Sequence, residues 1–167
     1  MGAPTLVPVE EYLTTDYEPD CDYVDGELID RNVGEKGHSK AQRWFTAFFY
    51  NNREALGVHG FPEQRIRVAP HRFRVPDICV VAGAEPDEEV FTKPPFLCIE
   101  ILSPEDRAPR IQLKLADYLA FGVPYIWVID PCSRRAFVYT QTGMREVRET
   151  LETENPKIRV ALQEIFE

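Results

Sequence analysis

Residues 96–102 read Phe96-Leu97-Cys98-Ile99-Glu100-Ile101-Leu102, six apolar residues around a single carboxylate. The run lies between Pro94-Pro95 and Ser103-Pro104, and its short length predicts a strand that is buried on both faces. Burying an unpaired carboxylate is costly, so Glu100 requires a cation, a metal ion or a proton as its partner. This strand therefore predicts the centre of the fold and also marks a candidate functional group.

The segments on either side of this strand predict the sheet. Residues 108–121 carry an apolar stripe at helical spacing, and residues 125–130 form a second buried strand. The order strand, helix, strand predicts a right-handed βαβ crossover with parallel strands. Residues 61–68 and 76–81 are predicted strands on shorter links, which favour antiparallel pairing. The sequence thus predicts an α/β fold with a central mixed β-sheet flanked by α-helices.

The other predicted elements are a short leading helix, a hairpin, a long helix and a late strand. They cover residues 7–13, 23–30, 38–56 and 135–140. An Asp-Gly pair marks the hairpin turn, and a glycine follows the long helix as its stop signal. In the tail, which begins near residue 146, the sequence predicts only isolated docking residues.

Length and composition limit the classes of protein. The chain of 167 residues predicts one domain over residues 1–167. No apolar stretch approaches the ~18 residues that span a membrane, so we expect no membrane partner. The four cysteines form no C-x-x-C pair, which favours reduced thiols and a cytoplasmic location. The net charge of -9 argues against broad, non-specific binding of nucleic acid, although local basic clusters allow a basic cleft.

Two carboxylates are candidates for a metal site. Asp77 begins one predicted strand and Glu100 lies within the next, so the two converge at one end of the sheet if the strands pair. Mg²⁺ accepts one or two carboxylates together with water and a phosphate oxygen, and such a site serves metal-assisted hydrolysis. On the helix that follows, Arg107, Arg110 and Lys114 share one side if the helix begins early enough. Lys114 borders the apolar stripe, so its ammonium can point at the sheet.

Several short motifs follow one another along the chain in an order that is informative as a set. They are Asp25-Gly26-Glu27-Leu28, His38 at a helix start, Val75-Pro76-Asp77-Ile78, Ile99-Glu100-Ile101-Leu102-Ser103-Pro104, Lys114, Tyr118, Gly122-Val123-Pro124 and Tyr125-Ile126-Trp127-Val128-Ile129-Asp130-Pro131. In this order the chain resembles the Uma2 family (DUF820-type), bacterial endonuclease-like proteins with the restriction-endonuclease-like PD-(D/E)XK fold. The resemblance covers roughly residues 10–165.

The resemblance implies a divalent-metal phosphodiesterase site. Asp77 matches the Asp of the P-D motif and Glu100 matches the (D/E) position, so both are implied ligands of Mg²⁺ (or Mn²⁺). Leu102 occupies the place of the usual lysine, and Lys114 is the implied substitute. In this role Lys114 positions the metal-activated water or stabilises the charged phosphorane.

Other residues have implied or possible roles around the same site. The resemblance implies that Glu27 adds a metal ligand through water. His38 stands at a helix start, where capping competes with a substrate or ligand role. Arg107 and Arg110 are candidates for gripping phosphates. Tyr118 is expected in the core.

Three functions remain open from the sequence. The leading one is a metal-dependent endonuclease acting on DNA, as a homodimer, because two-fold symmetry commonly helps a small domain to hold a duplex. The second is a catalytically inactive module that binds nucleic acid or protein and retains the nuclease fold. Leu102 and the net charge of -9 favour it. The third is a hydrolase of another phosphate-containing substrate.

Overall fold

The computed structural model describes residues 2–32 and 34–167. In the first half of the chain the elements are α1 (Val9–Thr14), β1 (Cys21–Val24), β2 (Glu27–Asp30), α2 (Lys36–Leu56), β3 (Val58–Pro62), β4 (Ile66–Ala69), β5 (Arg72–Arg74) and β6 (Ile78–Ala82). The second half contains β7 (Leu97–Ile101), α3 (Ala108–Phe121), β8 (Tyr125–Asp130), β9 (Arg135–Thr140), β10 (Gly143–Val147), β11 (Thr150–Glu152), β12 (Arg159–Ala161) and α4 (Leu162–Phe166).

The main sheet has six strands in the order β10-β9-β8-β7-β6-β3, and every residue of β7 is buried. Strand β7 runs parallel to β8 and antiparallel to β6. The prediction of a central mixed sheet around residues 96–102 is therefore confirmed. The parallel pair arises because α3 carries the chain back over the sheet between β7 and β8, whereas a hairpin-like link would reverse its direction.

Helices pack on both faces of this sheet, as the sequence predicts. On one face, α2 packs Ala41, Phe45 and Phe49 against a core that includes Trp127. On the other face, α3 packs its buried Leu115. Side chains alternate along β7, so Glu100 faces α3. No helix in the described part of the chain is long and apolar enough to span a membrane.

The prediction of one strand over residues 61–68 is wrong. The segment contains the end of β3 and most of β4, and these two strands belong to different sheets. Glu63, directly after Pro62, has a left-handed backbone with φ 52, which ends the extended conformation. Strand β4 instead joins a second sheet of four strands in the order β2-β1-β5-β4, which includes the predicted hairpin.

The tail has more structure than the sequence predicts. Strand β10 extends the edge of the main sheet, and β11 pairs with β12 in a separate two-stranded sheet. Their buried side chains and those of α4 join the core beside α2. Strands β11 and β12 have only three residues each, so they are too short to produce a periodic signal in the sequence. All four cysteines are free thiols.

Candidate active site

A cavity of about 590 Å³ lies where the first turns of α2 and α3 and the ends of β2 and β7 meet. It is lined by six of the seven residues that the sequence selects, namely His38, Asp77, Glu100, Arg107, Arg110 and Lys114. Glu27 is the one selected residue that does not line it. The residues chosen from separate parts of the chain thus come together at one place.

The two candidate carboxylates lie side by side at one end of the main sheet. Ile78 of β6 pairs with Ile99 of β7 in an antiparallel register, so the preceding Asp77 lies opposite Glu100. Asp77 is 4% exposed and Glu100 is 8% exposed, which means that both charges are largely removed from water. Such burial requires compensation from nearby cations or donors.

The partner of Glu100 is a lysine that reaches over from α3. Lys114 Nζ lies 3.0 Å from both carboxylate oxygens of Glu100. The same ammonium donates to the Val75 carbonyl at 3.0 Å, so it points into the site. Tyr118, one turn further along α3, donates its hydroxyl to Glu100 Oε1 at 2.5 Å. Tyr118 lies in the core, as predicted, and also helps to orient the glutamate.

Burial dominates the ionisation of Glu100. It raises the pKa of Glu100 to about 7; Lys114 opposes this rise, and the negative charge of Asp77 adds to it. Lys114 itself stays charged, because Asp22 and Glu100 outweigh burial, which alone would lower its pKa, and hold the pKa above its ordinary value. Near neutral pH the glutamate can therefore gain or lose a proton while the lysine keeps its charge.

Asp77 has donors on both of its oxygens. Arg31 Nη2 donates to Oδ1 at 2.7 Å, and His38 Nε2 lies 3.1 Å from the same oxygen. The backbone N–H of Ile101 donates to Oδ2 at 2.7 Å. Burial alone would raise the pKa of Asp77, but the His38 hydrogen bond and the charges of Lys114 and Arg31 hold it below its ordinary value. Asp77 is thus a carboxylate at neutral pH.

His38 contacts Asp77 and does not cap α2. The helix begins at Lys36, and its capping residue, Glu35, makes no side-chain hydrogen bond to the helix. The hydrogen bond to Asp77 raises the pKa of His38 against the lowering effect of burial. Of the two roles that the sequence left open, the capping role is therefore not seen, and the substrate or ligand role stays a prediction.

Sequence reasoning missed a buried network of ion pairs behind the lysine. Asp22 of β1 lies 3.7 Å from Lys114 Nζ and accepts a hydrogen bond from Arg74 Nη1 at 3.1 Å. Arg74 also donates to Asp117 of α3 through Nε at 2.7 Å. The network joins the hairpin, β5 and α3, and it thereby sets where Lys114 lies. Asp22 belongs to an acidic segment that is typical of a solvated loop, so the sequence carries no signal of its burial.

The structure does not bring Glu27 into the cavity. Glu27 is exposed and pairs with Val24 beside the hairpin turn. The cavity lies at the opposite end of the hairpin, where Asp22 and Ile29 line it. The carboxylate that the hairpin contributes to the site is therefore Asp22, because strand register and not nearness in sequence decides which residue reaches it.

Arg107 and Arg110 lie at the rim of the cavity. Arg107 is the capping residue of α3, and Arg110 lies in the first turn of the helix. Both are exposed, and within residues 2–32 and 34–167 no salt bridge engages either guanidinium. They present positive charge to solvent at the entrance of the cavity.

The carboxylate oxygens of Asp77 and Glu100 are suitable ligands for a hard divalent ion that also binds water and phosphate. Within the described residues, no three His, Cys, Asp or Glu side chains form a group that could hold a metal. Among these residues, Asp77 Oδ2 and Glu100 Oε2 each accept one hydrogen bond, so each oxygen can accept a further contact. Mg²⁺ commonly takes one or two carboxylates and completes its shell with water and phosphate oxygens, which fits this pair.

Known proteins resemble this chain in sequence and in fold. The sequence profile of the Uma2 family, described as "Putative restriction endonuclease", matches residues 9–167. A crystal structure described as "a putative nuclease belonging to DUF820", from Anabaena variabilis, superposes with a TM-score of 0.84 at 22% identity. The alignment covers 96% of this chain and 97% of that one. No curated protein matches.

The fold is therefore the restriction-endonuclease-like one, with a central mixed sheet flanked by helices. The family and the fold together support a nuclease role.

Proposed function

Because this chain belongs to the Uma2 family, we propose that it is a divalent-metal-dependent endonuclease that hydrolyses phosphodiester bonds in DNA. The observation that carries the proposal is the convergence of Asp77, Glu100 and Lys114 in one cavity. Two buried carboxylates and a fixed ammonium supply the groups that phosphodiester hydrolysis requires, namely metal ligands and a cation near the reacting phosphate.

The proposed cofactor is Mg²⁺ or Mn²⁺, with Asp77 and Glu100 as its protein ligands. When bound, such an ion lowers the pKa of a water molecule and neutralises charge on the phosphate. Neighbouring groups of the protein orient these two carboxylates through hydrogen bonds. The Ile101 N–H fixes Asp77 from behind, and the Tyr118 hydroxyl fixes Glu100. Both carboxylates are thus held in place by donors on the protein side.

Lys114 is the proposed substitute for the lysine that usually follows the glutamate in this fold. Leu102, at that position, lines the cavity but carries no charge. The Lys114 ammonium is held beside Glu100 by the Val75 carbonyl and by Asp22. We assign it the task of positioning the attacking water or stabilising the charge that develops on the phosphorane.

The exposed Arg107 and Arg110 are the proposed contacts for phosphates on either side of the cleavage site. They place two exposed guanidinium groups at the entrance of this cavity, on a protein of net charge -9, beside the acidic Asp30, Glu105 and Asp106 of the same lining. We further propose a homodimer, since two copies related by a two-fold axis can address both strands of a duplex. Sedimentation of the purified protein tests this state, and a single monomeric species would refute it.

Nicking of supercoiled plasmid with Mg²⁺ or Mn²⁺ tests the function. The expected result is metal-dependent nicking by the parent protein and its loss in Asp77→Asn, Glu100→Gln and Lys114→Met. Glu27→Gln is the matched control, because Glu27 is an exposed carboxylate outside the cavity. This control should nick at the parental rate.

Two outcomes would contradict the proposal. If Asp77→Asn and Glu100→Gln nick as fast as the parent, the assigned site is wrong. If no metal supports cleavage of any nucleic acid, and calorimetry detects no binding of Mn²⁺, the chain is an inactive module that retains the fold.

A further inference from the structure

Arg31 is a largely buried cation on the wall of the cavity, and no pattern in the sequence selects it. It directly follows β2, and its side chain is 14% exposed. Its Nη2 donates to Asp77 Oδ1 at 2.7 Å, and its Nη1 lies 3.5 Å from Glu63 Oε1. It lines the same cavity as Lys114. A second cation is therefore present beside the proposed metal ligands.

A comparison with Arg74 shows that Arg31 has N–H groups that are not engaged by the described residues. Arg74 is 4% exposed and directs Nε and Nη2 at Asp117 and Nη1 at Asp22. Each of its three guanidinium nitrogens therefore contacts a carboxylate of the fold. Arg31 makes one short contact, to Asp77, and one longer contact, to Glu63, which is 54% exposed. A guanidinium carries five N–H donors, so within the described chain Arg31 retains donors for another acceptor.

The position of Arg31 indicates what that acceptor is. A phosphate that approaches Asp77 and Glu100 comes beside the guanidinium, whose planar set of donors matches phosphate oxygens. Arg107 and Arg110 lie exposed at the rim, whereas Arg31 lies inside with the carboxylates. The rim arginines can therefore reach flanking phosphates, while Arg31 is placed for the reacting one.

We propose that Arg31 is a substrate-binding residue whose guanidinium contacts the phosphate to be cleaved. This inference rests on the nuclease function proposed above. The simpler alternative is that Arg31 is a counter-ion which only neutralises Asp77. The two roles differ in one respect, because only a phosphate contact changes how DNA binding responds to salt.

The test measures DNA affinity in a background that retains the site but lacks its glutamate charge. Glu100→Gln is combined with Arg31→Gln, with Arg31→Lys, or with the control Arg148→Gln, whose arginine is 84% exposed and lies outside the cavity. The probe is a short fluorescent duplex, and its Kd is measured by anisotropy from about 50 to about 200 mM NaCl, a range over which phosphate contacts weaken strongly.

Loss of one phosphate contact predicts a defined change. Arg31→Gln should raise the Kd about tenfold and reduce the slope of log K against log salt by about 0.9, whereas Arg148→Gln should change neither. Arg31→Lys keeps the charge but loses the planar set of donors, so it should keep the slope and raise the Kd about threefold. If Arg31→Gln does not fold, as judged by its melting transition, the Arg31→Lys result decides alone.

Three results would overturn the inference. An unchanged slope in Arg31→Gln identifies Arg31 as a counter-ion of Asp77 only. An Arg31→Lys variant that binds the duplex as tightly as its background refutes the phosphate contact. If Glu100→Gln itself binds no DNA, the proposed function fails and the inference fails with it. In the first two cases DNA binding persists, so the failures are distinguishable.

Discussion

Replacing Lys114 by methionine should destabilise the protein by an amount that depends on pH. The change removes the ammonium that lies 3.0 Å from both oxygens of Glu100 and 3.7 Å from Asp22. Methionine keeps an apolar side chain of similar length, so the loss is mainly one of charge and hydrogen bonding. The affected quantity is the free energy of unfolding.

The size of the effect follows from the distances. Two unit charges 3.0 Å apart attract by about 5–6 kcal/mol at an effective dielectric constant of about 20, before the cost of removing them from water. Breaking a buried pair by removing one partner costs about 3–5 kcal/mol, which we expect near pH 8.5. Near pH 6, Glu100 carries a proton and needs no cation, so only the contact with Asp22 and the hydrogen bonds are lost, and the loss should fall to about 1–2 kcal/mol.

The sign of this dependence follows from the pKa of Glu100. Burial raises that pKa to about 7, above the ordinary value of 4.5. The folded chain therefore keeps a proton that the unfolded chain releases between these values, and Glu100 lowers stability as the pH rises through this window. Without Lys114 the buried glutamate has less compensation once ionised, so the variant loses most stability above pH 7.

Urea unfolding of Lys114→Met, Glu100→Gln and the double variant, at both pH values, measures the interaction as a double-mutant cycle. We expect a coupling energy of at least about 2 kcal/mol near pH 8.5. The matched control is Lys157→Met, which breaks a pair with Glu154 whose side chains are 57% and 63% exposed. Such surface pairs contribute under about 1 kcal/mol. Additive single losses, or a loss from Lys114→Met that is the same at both pH values, would refute the assignment of Lys114 as the partner of a charged Glu100.

Three further predictions concern the surroundings of the site. Asp77 holds the pKa of His38 above the ordinary value of 6.5, so His38 stabilises the fold below that value. This contribution is lost as the pH rises through the folded pKa. His38→Gln should therefore lose more stability near pH 5.5 than near pH 8.5, as measured by urea unfolding. Asp117→Asn should cost about 2–4 kcal/mol in thermal unfolding, because it removes the carboxylate that contacts both Nε and Nη2 of the buried Arg74. Asp25→Asn, at the exposed end of the cluster, should cost under about 1 kcal/mol. A thiol reagent should modify Cys132 rapidly in the folded protein, since the other cysteines are buried.

Each of these has a clear contrary result. A His71→Gln variant, at an exposed turn, serves as control for the first, and equal losses at both pH values for His38→Gln would contradict it. Equal costs for Asp117→Asn and Asp25→Asn would mean that burial does not strengthen the arginine cluster. Rapid modification of more than one thiol before unfolding would contradict the third.

The sequence predicts the central unit of the fold because the signals there are local. The apolar run around Glu100, the stripe of the following helix and the second apolar strand each determine their element without help from distant parts of the chain. The same signals explain why Lys114 could be selected. A lysine at the border of a helix stripe lies beside the sheet, and there a buried glutamate requires a partner.

What the sequence could not predict depends on long-range structure. The division between β3 and β4 follows from the left-handed backbone of Glu63, which no periodic pattern reveals. Asp22 reads as one of many acidic residues in a solvated loop, and it is buried because Arg74 and Lys114, from distant parts of the chain, lie against it. Glu27 lies outside the cavity for a related reason, since its nearness in sequence to the hairpin turn says nothing about which end of the hairpin faces the cavity. Arg31 was missed because its importance arises only from contact with Asp77.

The central claim is that Asp77 and Glu100 form a metal-dependent hydrolytic site. The most direct measurement is the rate at which the protein nicks supercoiled plasmid with Mn²⁺, compared with Asp77→Asn purified in parallel. The account predicts nicking by the parent that a chelator abolishes, and a loss of at least about 100-fold in the variant, as expected when a group essential to the chemical step is removed. Equal rates for the two proteins, or nicking that persists with the chelator, would contradict the account.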